Sequence, residues 1–492
     1  MDRQKAKRAI DWAIFGLFTL FISFLASKHE AWADEYLVYF MCKRMGLAEL
    51  WQAMTREGHF MLWHLLIYPF AKAGFSFKCL QVVSVLLIAL SGWLLMMKSP
   101  FPTVTKCLIL FSYPLLYEFP VIARCYALIP PILFAIACLY KKQKEHLYLY
   151  CVLVGLLSLT HAYMEGLVAA LFLLFCFEQI YLPYKKGERI RKPLLAASLT
   201  LAIVFVAFLQ VSGSLGYAHD HFTSNTNSLS ELWRIYFINT YHLPVSIVQA
   251  YCPDHWSNLL GIVGDIGSAA CWLVILWLCY KLFVVHKGNR RLILALLCGI
   301  GWQVLMALFV FNVSHQRAYL PLFVLIFSIW CAYEKTLSKG VSLSALCLFL
   351  LTAKFGAIIR DIKEPFCTEL DCYETIETVV PKQSRLIFLN TNTNVRAMDI
   401  AFSKNVAEQM FAEDYDFEFL TLEQASGEDS ILLPKDILEE EQLQDNTLYI
   451  VSEKALNDNS GHIDLLQSFD VGYFAVLPTR YLYQINKQSN YE

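Results

Sequence analysis

Residues Cys79–Met97, CLQVVSVLLIALSGWLLMM, decide the fold class of this chain. Over these 19 residues there is no Asp, Glu, Lys or Arg. A helix of roughly 20 apolar residues crosses the hydrocarbon core of a bilayer, so the run reads as a membrane span. Working outward, ten more apolar runs read the same way: Ile10–Ala26, Cys107–Ala123, Cys125–Tyr140, Leu147–Ala162, Gly166–Leu182, Leu194–Val211, Leu259–Leu282, Leu292–Phe311, Ala318–Tyr333 and Val341–Ala353. The expected fold is a polytopic α-helical membrane protein with about eleven transmembrane helices.

Composition agrees with that reading and divides the chain. Hydrophobic residues make up 57% and charged ones 17% of its 492 residues, against about a quarter charged in soluble proteins. Residues 1–359 carry 30 Lys and Arg against 17 Asp and Glu, whereas residues 360–492 carry 10 against 25. The first part is therefore basic and lipid-solvated. The second is an acidic, water-solvated domain large enough to hold its own core. Met1–Ala26 has the basic start and apolar run of a signal peptide, but Ile10–Ala26 outlasts a usual signal core and reads as a retained first span. The 15 cysteines show no CxxC pair and no alternation with His, which gives no metal spacing. Cys367 and Cys372, the close pair in the acidic part, fit a disulfide or two free thiols equally.

Basic residues set the orientation. With the N-terminus inside, inner loops hold 20 Lys and Arg, and the outer segments ahead of the last span hold 9. The expected location is the cell (inner or plasma) membrane, multi-pass, with a cytoplasmic N-terminus and the 360–492 domain extracytoplasmic. Residues 27–78 form a long first outer loop. In it Phe60–Phe77, interrupted by His64, Pro69, Lys72 and Gly74, reads as helix lying at or dipping into the surface, after amphipathic Leu47–Met54.

Polar residues gather at the outer ends of the spans: His29, Glu30, Asp34 and Glu35; Arg56, Glu57 and His59; Glu118, Arg124 and Tyr126; His161, Tyr163 and Glu165; His315, Arg317 and Tyr319. Ionisable groups at that depth are costly unless they pair or line a wet cavity. Any one cluster reads equally well as interfacial anchors, but five on one face point to a shared cavity. Carboxylates there suit proton abstraction, and arginines suit a bidentate grip on phosphate. Together they suit a substrate with a lipid tail and a phosphate head.

The ordered motifs resemble those of GT-C superfamily glycosyltransferases. Asp34-Glu35 in a long first outer loop is similar to their DE motif. Glu57-Gly58-His59-Phe60-Met61-Leu62-Trp63 resembles their E-x-HPPLYY element, with Phe60 and Met61 in place of both prolines. Ala123-Arg124-Cys125-Tyr126-Ala127-Leu128 resembles ARxYxL, Leu159-Thr160-His161-Ala162-Tyr163 resembles LTHYF, and Arg317-Ala318-Tyr319-Leu320-Pro321 resembles R-Y-x-x-P. The nearest branch comprises bacterial relatives of protein O-mannosyltransferases and of lipid A aminoarabinose transferases. The resemblance implies inverting transfer of a sugar from a polyprenyl-phosphate donor to a lipid, glycan or protein acceptor on the outer side. It implies Asp34 as general base with Glu35 beside it, Arg124 and Arg317 on the donor phosphate, and Glu30, Glu57, His59, Tyr126, His161, Tyr163 and Tyr319 around the pocket. The partners so implied are the donor, the acceptor and membrane lipids, not nucleic acid.

In the loop 212–258, His219-Asp220-His221 offers the one candidate site for a divalent metal, against the plainer reading of three solvated loop residues. No other cofactor is called for. Trp233, Tyr236, Tyr241 and Trp256 in the same loop suit sugar stacking or interfacial anchoring. The acidic part alternates strand-like runs (Arg385–Leu389, Phe417–Leu422, Thr447–Val451, Gly472–Val476) with a helical stretch, Val395–Phe411, and reads as a small α/β domain. A transporter or flippase of a lipid-linked solute is the competing reading. Against it, the chain has no internal repeat, and the polar clusters sit at one face rather than at the midplane. A polysaccharide ligase or polymerase keeps the lipid donor and changes the acceptor.

Overall fold

The computed structural model describes residues 3–31, 33–57, 60–212, 226–245, 254–313, 315–364, 366–391, 407–408, 410–422, 430–432, 448–457, 463–469 and 480–485. Its backbone contacts divide into two compact units. One comprises Met1–Ser27, Met45–Phe70 and Lys78–Ile358, and the other Lys28–Arg44, Ala71–Phe77 and Ile359–Glu492. The second unit begins its C-terminal part where the charge balance changes sign, and it also takes in two pieces of the first loop.

The first unit is helical. Among the described residues six helices are long and apolar enough to cross a membrane: Lys5–Lys28, Cys79–Lys98, Ala162–Lys185, Arg191–Ser212, Leu259–Val285 and Leu292–Phe309. Lys335–Leu351 and Phe355–Lys363 are bent by 44° at their junction and make a seventh if counted as one span. Cys125–Tyr140, Leu147–Ser158 and Gln316–Ala332 are apolar but shorter. The span expected over Cys107–Ala123 is interrupted. A helix ends at Leu110, a wide turn runs over Pro114–Glu118, and a short helix covers Phe119–Val121. Pro114 and Pro120 lack the N–H that a continuous helix needs, so the backbone re-forms around each.

Apolar side chains cover the outer faces of these helices, with Leu20, Leu86, Leu201, Phe205, Ile266 and Leu276 all more than half exposed. A water-soluble surface rarely carries so much contiguous apolar area, whereas lipid would solvate it. Helix Leu62–Lys72 contains Pro69 and is not among the candidate spans. Leu47–Glu57 before it buries Leu50 and Met54 and exposes Leu47 and Trp51.

Helix Glu165–Phe175 lies against helix Leu292–Phe309 with Gly166 at their closest approach. A Cβ there would stand 2.2 Å from Trp302 Cβ and 2.5 Å from the Cys298 carbonyl oxygen, so only glycine fits. Gly166→Val is expected to force the helices apart at a cost of about 1–3 kcal/mol or more. Thermal unfolding of the full chain in detergent reads this. An unshifted midpoint would mean the helices have room to part.

The second unit is built on a five-stranded sheet of β1 (Arg385–Thr391), β2 (Asp416–Leu422), β4 (Leu448–Ser452), β6 (Ile463–Phe469) and β7 (Arg480–Ile485), in the order β2-β1-β4-β7-β6. β3 (Ser430–Leu432) and β5 (Ala455–Asn457) form a separate parallel pair. β1 pairs in parallel with β2 and β4, and β7 runs antiparallel to β4 and β6. Leu386, Ile387, Phe388 and Leu389 are all fully buried, as a strand covered on both faces requires. Ile387, Leu389, Ile450 and Ile485 pack on one side, and Phe388 meets Tyr373, Phe411 and Phe417 on the other.

Three of the four strand-like runs thus underlie β1, β2 and β4. Gly472–Val476 and most of Val395–Phe411 lie outside the described residues, and β6 and β7 were not read from the sequence. Cys367 and Cys372 are not joined in a disulfide.

Candidate anion site at three helix starts

Within the first unit, three apolar helices each open on a short 3-10 turn. Cys125–Leu128 leads into Ile129–Tyr140, Ala162–Met164 into Glu165–Phe175, and His315–Tyr319 into Leu320–Ala332. Pro130 and Pro131 in the first helix and Pro321 in the third sit in the first turn, where no N–H is missed. The three turns meet. Arg317 Nε donates to Tyr126 Oη at 2.8 Å, and Tyr126 Oη lies 3.2 Å from His161 Nε2. Helix N-termini carry partial positive charge, so their convergence is itself a preference for an anion.

Counting protons sharpens the picture. The backbone N–H of Tyr163 donates to His161 Nδ1 at 3.2 Å, so that nitrogen carries no proton. The neutral ring then holds its proton on Nε2 and donates it to Tyr126. The phenolic oxygen therefore accepts from both His161 and Arg317, and its own proton must be directed elsewhere. Arg317 commits Nη1 to the carbonyl and the side-chain oxygen of Asn312, at 2.6 and 3.3 Å. Its Nη2 hydrogens meet no acceptor among the described residues, and neither does it form an ion pair there. The guanidinium of Arg124 stands 5.5 Å from the centre of the Tyr126 ring, and that of Arg317 stands 4.9 Å from the Phe311 ring.

Neighbouring bonds fix the turns. Gln316 Nε2 donates to the carbonyls of Glu118 and Ile122 at 2.8 and 3.0 Å, tying the third turn to the interrupted segment. Tyr163 Oη donates to the Phe311 carbonyl at 2.7 Å, and Trp302 Nε1 donates to that of Ala162 at 2.8 Å. Arg124, Tyr126, His161, Tyr163, Arg317 and Tyr319 therefore share one neighbourhood. Lys354 joins them, with its ammonium 5.4 Å from the Tyr319 ring centre and 5.9 Å from that of Tyr113. Its sequence signal was a lone cation just past the last apolar run.

Glu30, Asp34 and Glu35 belong to the second unit. His29 is buried between two of them: Nε2 lies 3.2 Å from Glu35 Oε2, and Nδ1 lies 3.2 Å from Asp361 Oδ2. Both ring nitrogens face acceptors, so the ring is a doubly protonated imidazolium. Burial alone would lower its proton affinity, but the charge of Glu35 and hydrogen bonds to Asp361 and Glu35 outweigh that and raise its pKa from 6.5 to about 10. Glu35 is wholly buried in this pairing, and Asp34 is partly exposed in the first turn of helix Ala33–Arg44.

Burial, followed by the charges of Asp371 and Asp361, raises the proton affinity of Glu30, whose Oε2 is buried without a hydrogen-bond partner among the described residues. Glu57 ends the helix Leu47–Glu57, and His59 and His219-Asp220-His221 lie outside the described residues. Among the described residues no group of three or more His, Cys, Asp or Glu is placed to hold a metal ion. Compared with known proteins, the chain matches no family model, no curated protein and no solved structure.

Proposed function

We propose that this chain is a GT-C-type membrane glycosyltransferase that moves a sugar from a polyprenyl-phosphate donor to an acceptor on the outer side, with inversion. The observation that carries this reading is the meeting of Arg124, Arg317 and three helix starts at Tyr126, with Arg317 Nη2 and the Tyr126 hydroxyl proton still to be accepted. A phosphate at an apolar boundary offers several acceptor oxygens to such a set, and the lipid tail suits the exposed apolar helices beside it. Asp34 is the base in this reading, and Arg124 and Arg317 hold the phosphate as the glycosidic bond breaks.

In this reading the spans number eleven. The six long helices, the bent pair, the three shorter apolar helices and the interrupted segment Thr103–Val121 together make that count. The odd number carries the C-terminal unit to the side opposite the N-terminus. A reporter active only outside the cytoplasm, fused after Glu492, is expected to be active. Silence from a well-inserted fusion would reverse the orientation.

Arg317→Lys keeps the charge and loses the planar fork, so Tyr126 and Asn312 cannot both be reached while a ligand is held. Polyprenyl phosphate binding to the purified full chain is expected to weaken about tenfold or more, with Arg124→Lys acting in the same direction. Unchanged binding in both variants removes these residues from the phosphate clamp.

A further inference from the structure

Beside the phosphate clamp lies a second set of unmet polar groups of a different chemical character. Tyr319 is two residues beyond Arg317 and almost fully buried, and its hydroxyl has no hydrogen-bond partner among the described residues. Gln316, also buried, uses its amide nitrogen on two carbonyls and leaves Oε1 without a partner among the described residues. Lys354 makes no hydrogen bond or ion pair among the described residues; its ammonium stands against the ring faces of Tyr319 and Tyr113 and in the field of the buried Glu118 carboxylate. Tyr241 links this group to Trp272, whose buried Nε1 likewise lacks a partner among the described residues: the Tyr241 ring centre is 6.2 Å from that of Tyr319 and 5.7 Å from that of Trp272.

A buried polar atom without a partner is costly, so several together ask for a ligand that satisfies them. An anion satisfies donors only. This set mixes donors (Lys354, Trp272), an acceptor (Gln316) and a hydroxyl that does both (Tyr319), among aromatic faces. Hydroxyl groups on a saccharide both donate and accept, and the apolar face of a sugar ring packs on aromatic rings. A sugar esterified to a phosphate held at Arg317 must lie next to that residue, where this set is.

We propose that Lys354, Tyr319 and Gln316 form the subsite that reads the hydroxyls of the transferred sugar. This inference rests on the glycosyltransferase reading and adds the residues that read the transferred sugar.

The test uses the purified full chain with two probes, polyprenyl-phosphate-glucose and sugar-free polyprenyl phosphate. Tyr319→Phe removes one oxygen and Lys354→Met removes one charge at similar length, so both variants are gentle on packing. Each is expected to weaken binding of the glycosylated probe about tenfold while leaving the sugar-free probe within about twofold. Equal weakening of both probes would place Lys354 and Tyr319 in the phosphate clamp and overturn the sugar subsite. No weakening of either probe would overturn it as well. If the unaltered chain binds neither lipid, the glycosyltransferase reading itself fails, and the subsite with it.

Discussion

Replacing His29 with Leu is expected to destabilise the second unit by about 3–5 kcal/mol, because it strands Glu35 and Asp361 as like charges in a buried place. The imidazolium is what makes that burial tolerable: it sits 3.2 Å from a carboxylate oxygen on each side. It also ties together three pieces of chain, namely the segment after helix Arg3–Lys28, the start of helix Ala33–Arg44 and helix Phe355–Lys363. The thiol of Cys372, fully buried nearby in sequence from Phe366, which packs its ring 4.5 Å from His29, reports local opening. Modification of Cys372 in the full chain, resolved by mass spectrometry, should accelerate on the order of 100-fold or more in His29→Leu. Replacing His29, Glu35 and Asp361 together by Leu should restore most of the protection, since no charge is then stranded. Equal protection in the single variant and the parent would show that the buried ion set contributes nothing to the unit.

The same site sets a pH dependence of definite sign. His29 has its pKa raised by folding, from 6.5 to about 10. Its contribution is therefore complete below about pH 6.5 and is lost as pH rises through about 10. Protection of Cys372 should fall over that window in the parent relative to His29→Leu, a comparison in which the titration of the thiol itself cancels. A parallel pH dependence in the two proteins would mean that His29 does not change its proton affinity on folding.

Local signals in the sequence made much of this legible. Uninterrupted apolar runs such as Cys79–Met97 became long helices because a helix satisfies its own backbone wherever its side chains are apolar. Where prolines fall inside a run, as at Pro114 and Pro120, hydropathy overstated continuity. The residues around Tyr126 were legible as motifs, yet the shared phenolic oxygen joining Arg317 and His161 is a contact across 35 and 191 positions that no local pattern encodes. Lys354 and Asp361 were missed for the same reason. Strand β6 escaped notice because its middle, Asp464–Ser468, is exposed and lacks a continuous apolar alternation. Glu30, Asp34 and Glu35 looked equivalent as neighbours in sequence. Burial separates them, because Glu35 is fully buried against His29 and Asp34 is partly exposed.

That separation gives the sharpest test of chemistry. Asp34 follows the start of helix Ala33–Arg44, where the first-turn N–H groups and the helix dipole favour a carboxylate, and it keeps access to solvent. An acceptor hydroxyl attacking an anomeric carbon gains nucleophilicity if a carboxylate takes its proton during attack. Asp34→Asn keeps shape and hydrogen bonding but cannot accept the proton, so sugar transfer is expected to fall by about 100-fold or more. Polyprenyl phosphate should bind as before, because Arg124 and Arg317 are the residues assigned to the phosphate. Glu35→Gln should behave differently. It removes one partner of His29, so its defect should appear as faster Cys372 modification, with near-normal turnover in the molecules that remain folded. Glu30→Gln should be the mildest of the three, since burial already favours the protonated form of that side chain. Normal transfer by Asp34→Asn alongside a dead, fully folded Glu35→Gln would move the base to Glu35, and normal transfer by all three would leave this carboxylate cluster a structural device with no part in the reaction.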